Sequence, residues 1–152
     1  MYHLLLAVIY AAFISLGLPD SLLGAAWPQM HQMLQVPVGW AGAVSATVSL
    51  CTVTSSLLSA RLVSRFGTGK VTAASVLMSG LALLGFSVTN NYFLLFVWAV
   101  PYGLGAGGVD AALNNYVALH YSSRHMSWLH CMWGLGASVG PYILGYAMSG
   151  GA

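Results

Sequence analysis

The sequence predicts an all-α fold, a polytopic membrane bundle of five transmembrane helices. Three observations predict it: an apolar excess, a near absence of charge, and long apolar runs separated by short breaks. Of 152 residues, 59% are hydrophobic and 4% are charged. A soluble domain carries about 25% charged residues. Six formal charges cannot cover a water-facing surface of this size, and the mean hydropathy of +0.82 points to lipid as the solvent.

A hydrocarbon core takes about 20 residues of helix. Runs of that length are expected over residues 4–27, 38–60, 71–88, 92–119 and 127–148. They are too long and too continuously apolar for the alternating strands of a lipid-embedded barrel. Residues 4–18 have the length of a secretory leader, but no Lys or Arg precedes them and they lead into Pro19, Asp20 and more apolar sequence. That favours a membrane helix over a cleaved segment.

Charge then orients the helices. Arg61, Arg65 and Lys70 fall between the second and third runs, and Arg124 between the fourth and fifth. The other two connections, 28–37 and 89–91, carry no Lys or Arg. Basic loops stay on the cytoplasmic side, so the N-terminus is expected in the cytoplasm and the end of this chain outside. The plasma (inner) membrane is the expected location. Trp27 and Trp40 flank the first outer loop, where amphipathic rings suit an interface. An odd number of helices ending in SGGA reads as an incomplete N-terminal transmembrane domain, which needs further C-terminal helices of the same protein.

Asp20 and Asp110 are the only acids, and both lie within predicted spans. A carboxylate at the centre of a membrane helix costs about 2.5–3.5 kcal/mol on insertion scales, so it is expected to face a cavity or a partner. Hydrogen-bonded packing of neutral acids is the plainer alternative. Asp20 sits in GLPDSLLG, where Pro19 removes a helical donor. Asp110 sits in GLGAGGVDAALNN, and Gly103, Gly107, Asp110 and Asn114 fall on one helical face. This small, polar face is expected to point into the bundle rather than to lipid. Asn115 lies about 100° further round. Both acid segments read D-x-x-L followed by Gly or Asn, on the first and fourth helices. Those helices correspond when a half is built from two inverted three-helix repeats, and interrupted segments in matching positions are where transporter sites are expected.

With GLPDSLLGAAWPQM, ARLVSRFGTGK and GLGAGGVDAALNNYVALHY in view, the whole chain resembles the first five helices of a major facilitator superfamily transporter, most closely the fucose-permease-like branch. In that branch an acid late in helix 1 and another in helix 4 serve sugar binding and proton coupling. The resemblance implies those roles for Asp20 and Asp110. The superfamily's loop after helix 2 reads G-x-x-x-D-R-x-G-R-K. Arg65, Gly67 and Lys70 fit it, whereas Ala60 and Ser64 replace its Gly and Asp. Gly136, Gly140 and Pro141 resemble part of an antiporter motif, but a G-x-x-x-G packing face explains them as well.

The remaining polar residues carry less. His120, His125 and His130 recur every five residues, about 500° of helical turn, which gathers no metal-binding face. His120, His125 and Trp128 suit an interface. His130 shares a face with Trp133, Ala137 and Gly140, where lining a pathway and ordinary packing are both open. The hydroxyls at Ser45, Thr47, Ser49, Thr52, Thr54, Ser55 and Ser56 are expected to bond backbone carbonyls. Cys51 and Cys131 read as buried thiols. Neither a metal, a cofactor, nor a nucleic-acid partner is expected, and no enzyme motif is present. The function expected is proton-coupled, alternating-access transport of a small polar solute, such as a sugar. Asp20 and Asp110 would handle protons, and Asn114, Asn115, His130 and Trp133 would line the pathway. The alternative is a membrane subunit or scaffold acting by helix association.

Overall fold

The computed structural model describes residues 2–150, and among them it holds helices and no strands. α1 is Tyr2–Asp20, α2 Leu22–Met33, α3 Ala41–Phe66, α4 Thr68–Ser87, α5 Tyr92–His120 and α6 Ser123–Ser149. A short 3-10 turn, Val38–Trp40, precedes α3. Four stretches are long and apolar enough to cross a membrane: Leu4–Met33, Val38–Phe66, Thr68–Ser87 and Tyr92–His120. α6 is long enough at 27 residues but is not among the four by composition. The chain divides into two compact units, one of residues 1–30 with 120–152, the other of residues 31–119.

Several boundaries differ from those expected. The first span breaks at Ser21, just past Pro19, and resumes as α2 through Pro28 to Met33. Pro19 and Pro28 each forfeit one backbone bond, yet in hydrocarbon a helix remains the cheapest way to satisfy the rest. What stops α2 is its C-cap. Val36 donates to His31 O at 3.0 Å and Gln35 to Gln32 O at 3.2 Å, with Gln35 at φ 53° and Pro37 following. This is the Schellman pattern, with Gln in the place glycine usually takes. α3 runs on to Phe66, so Arg61 and Arg65 are helical rather than in a loop, and Lys70 already belongs to α4. The loop between them shrinks to Gly67, whose φ of +82° is a conformation side chains rarely adopt. Trp27, expected at an interface, is buried.

In the first unit, α1 packs along α6 with both running the same way. Gly136 meets the backbone of Ile14 and Leu18, Gly140 meets Leu18 O, and Gly17 meets the backbone of Trp133 and Ala137. Phe13 and Leu129 are fully buried nearby in the same unit. In the second unit, α5 is the central helix, and its glycines open two faces. Gly103 and Gly107 receive the backbone of Val48 and Thr52 from α3. Gly105 and Gly108, about 150° round, receive Ser75 and Ser79 from α4. Hydroxyls stitch the first face: Ser55 Oγ donates to Leu104 O at 2.6 Å and Thr52 Oγ1 to Gly103 O at 3.2 Å.

The distribution of residues is the reverse of a soluble protein's. Ser55, Ser59, Ser75 and Ser79 are buried, while Leu57, Leu77, Leu81 and Leu84 are 76%, 68%, 63% and 65% exposed. Large apolar side chains outside and small ones between helices suit lipid, where close backbone approach drives association. One consequence is measurable. A Cβ added at Gly136 would fall against Ile14 O, whereas one added at Gly134 meets nothing within 4 Å. Gly136→Ala is expected to lower stability in detergent by about 1–3 kcal/mol. Gly134→Ala should leave it unchanged or slightly raised, as read by denaturant titration of the purified protein.

Candidate functional site

Each acid is held by a neutral N–H donor from its own unit. On α1, Asp20 closes the helix just before the break at Ser21, and its Oδ2 accepts a bond from Trp133 Nε1 on α6 at 2.9 Å. The glycine contact at Gly17 brings the Trp133 backbone against α1, one turn before Asp20. An indole nitrogen can only donate, so the carboxyl oxygen is the acceptor. Asp20 is exposed and Trp133 is 41% exposed on this unit.

On α5, Asp110 Oδ1 accepts from Asn114 Nδ2 at 3.0 Å, one turn along the same helix. Asn114 Oδ1 is buried without a hydrogen-bond partner. The amide thus spends its donor on the acid and keeps its acceptor for something else. The expected face is divided in two. Gly103 and Gly107 are buried against α3, as small residues facing into a bundle should be, but Asp110 one turn further on is exposed. Asn115 is exposed beside it.

The other residues singled out by sequence have mixed placements. His130 is exposed, with its ring edge-on to Phe13 at 6.4 Å between centroids. Arg65 lies over the ring of Phe66 at 5.5 Å, and Gly67 caps α3. Thr47, Thr52 and Thr54 bond carbonyls one turn back, as expected of hydroxyls in membrane helices. Cys131 is exposed rather than buried, because α6 turns that side away from α1; Cys51 is half-buried against Gly103. A groove of about 360 Å³ lies between α2 and α6, bounded by Pro28, Gln29, Pro141 and Met148 among others. Neither acid lines it.

One pair had no signal in local spacing. Tyr10 Oη and His125 Nδ1 lie 2.7 Å apart across 115 residues, with Tyr121 edge-on to the same imidazole at 5.6 Å. His125, expected merely at an interface, ties the start of α6 to α1.

The geometry is that of apolar spans carrying acids on partly exposed faces, and a family model decides among the proteins built so. The Major Facilitator Superfamily model matches residues 9–151. The chain belongs to that superfamily. Comparison with curated proteins and with solved structures gives no match. Proteins of the Major Facilitator Superfamily are transporters rather than enzymes, and as a member the chain is a membrane-embedded secondary transporter that meets the bilayer and a small solute. Arg65, Gly67 and Lys70 are spread over the end of α3 and the start of α4, so a helix–helix corner presents them.

The Tyr10–His125 link generates a test. Tyr10→Phe and His125→Phe should each cost about 0.5–1.5 kcal/mol of stability in detergent. The double variant should cost no more than the larger single effect, since one bond is lost in all three. A fully additive pair would contradict the link.

Proposed function

We propose that the chain contributes one wall of a proton-coupled transporter for a small, hydroxyl-rich solute such as a sugar. Asp20 and Asp110 exchange protons during alternating access. The observation that carries this reading is that the only two acids sit in apolar spans, each bonded to a neutral N–H donor. A neutral donor tolerates a charged carboxylate in an apolar span.

Asn114, Asn115, His130 and Trp133 then line the solute's route, with the unsatisfied Asn114 Oδ1 as an acceptor for a solute hydroxyl. The sugar assignment and the fucose-permease-like branch rest on GLPDSLLGAAWPQM and GLGAGGVDAALNNYVALHY. The four basic residues, Arg61, Arg65, Lys70 and Arg124, support a cytoplasmic N-terminus in the plasma (inner) membrane. The chain acts with further helices of the same transporter, because the pathway of this fold runs between repeats and these helices supply one side. A scaffold acting by helix association has less support. Gly17, Gly103, Gly107, Gly136 and Gly140 already meet other helices of this chain.

The test is transport by the whole protein containing this chain. Asp20→Asn and Asp110→Asn should each abolish proton-driven accumulation, at least tenfold, while solute exchange persists. Wild-type accumulation by Asp110→Asn would remove the coupling role.

A further inference from the structure

The corner between α3 and α4 carries three of the chain's four basic residues and no acid. Arg61 and Arg65 are one turn apart near the end of α3, and Lys70 follows Gly67 in the first turn of α4. All three are exposed. Ser64, between the arginines, is neutral, and its hydroxyl donates to Arg61 O at 2.8 Å. The one acid in the sequence of this unit is Asp110. Gly107 lies against Thr52, which sets Asp110 level with residue 55 of α3. That is about 9 Å along the axis from Arg61 and about 15 Å from Arg65.

The charges adjoin an apolar strip on the same helix. Leu58, Leu62 and Phe66 are exposed, and with Arg61 and Arg65 they fall within an arc of about 140°. Arg65 lies over the Phe66 ring at 5.5 Å, so cation and strip are contiguous. Long basic side chains at the end of a span carry their charges to headgroup depth while their stems stay on apolar surface. A Cβ at Gly67 or Gly69 would meet nothing within 4 Å, so the corner is open to approach.

We propose that this corner binds one anionic phospholipid, its phosphate held by Arg61, Arg65 and Lys70 and its acyl chains laid along Leu58, Leu62 and Phe66. The sign of the charge selects an anion, and guanidinium forks match phosphate oxygens. The strip selects a lipid over free phosphate, since only a lipid brings chains with its headgroup. Neither the solute nor the coupling ion enters this inference.

Native mass spectrometry of the whole transporter in detergent tests it, with three probes: phosphatidylglycerol, phosphatidylcholine of the same chains, and glycerol 3-phosphate. The unaltered protein should retain phosphatidylglycerol at least tenfold better than phosphatidylcholine. A basic residue beside an anionic lipid contributes about a factor of five, so Arg65→Gln should weaken phosphatidylglycerol about fivefold. The triple variant Arg61→Gln, Arg65→Gln, Lys70→Gln should weaken it about a hundredfold, with phosphatidylcholine unchanged. Arg65→Lys should stay within about threefold. Arg124→Gln, a charge of the other unit, should stay within about twofold. Phosphatidylglycerol retained in full by the triple variant would overturn the proposal, as would equal loss in Arg124→Gln, which makes net charge the cause. Equal binding of both lipids, or glycerol 3-phosphate bound as tightly as phosphatidylglycerol, would also overturn it.

Discussion

Hydrocarbon offers no hydrogen bonds, and that single property of the solvent dictates most of what this chain does. Every backbone amide has to be satisfied within its own segment, so the long apolar runs are helical even through Pro19, Pro28, Pro101 and Pro141. Apolar side chains gain nothing by leaving lipid for one another, so cohesion falls to close backbone approach. The glycines at 17, 136 and 140 in one unit, and at 103, 105, 107 and 108 in the other, are where that approach happens. Serine takes the same role with a hydroxyl added, and it sits buried while leucine sits outside.

Against that background an ionisable group is expensive, and the chain contains two acids in its spans. Both are placed on exposed faces of their units, and both are given a neutral donor. The two donors differ in kind. Asn114 lies on the same helix as its acid, one turn along. Trp133 lies on a different helix from Asp20, so that bond joins α6 to α1.

Much of this was legible in the sequence, for physical reasons that vary by residue. Helix number and position follow from hydropathy, because lipid imposes a length that composition reveals directly. The exact ends did not follow. The first run was expected to end at residue 27, yet α2 continues to Met33, where Gln35 takes the left-handed cap. Arg61 and Arg65 looked like loop residues, yet a helix can extend past the lipid boundary with its charges in water. The Gly103–Gly107 face was readable from its period, since it records where α3 must approach. The exposure of Asp110 at the end of that face was not, because it depends on where α3 ceases to cover α5. Asp20 and Asp110 could be chosen from their cost alone. Their partner donors could not: Asn114 was one residue of a polar stripe, and Trp133 lies 113 residues from Asp20. The Tyr10–His125 bond joins residues with no periodic relation whatever.

The central claim is that the two acids face water inside a protein whose other exposed faces meet lipid. Cysteine labelling tests it directly, in a protein with Cys51 and Cys131 replaced by alanine. Asp20, Asp110, Leu57 and Leu81 are all exposed on their helices, so accessibility within the helices alone does not separate them. Asp20→Cys and Asp110→Cys should react with a charged, water-soluble maleimide in open membranes, and Leu57→Cys and Leu81→Cys should not. Labelling at the leucine positions with none at the acids would contradict the account.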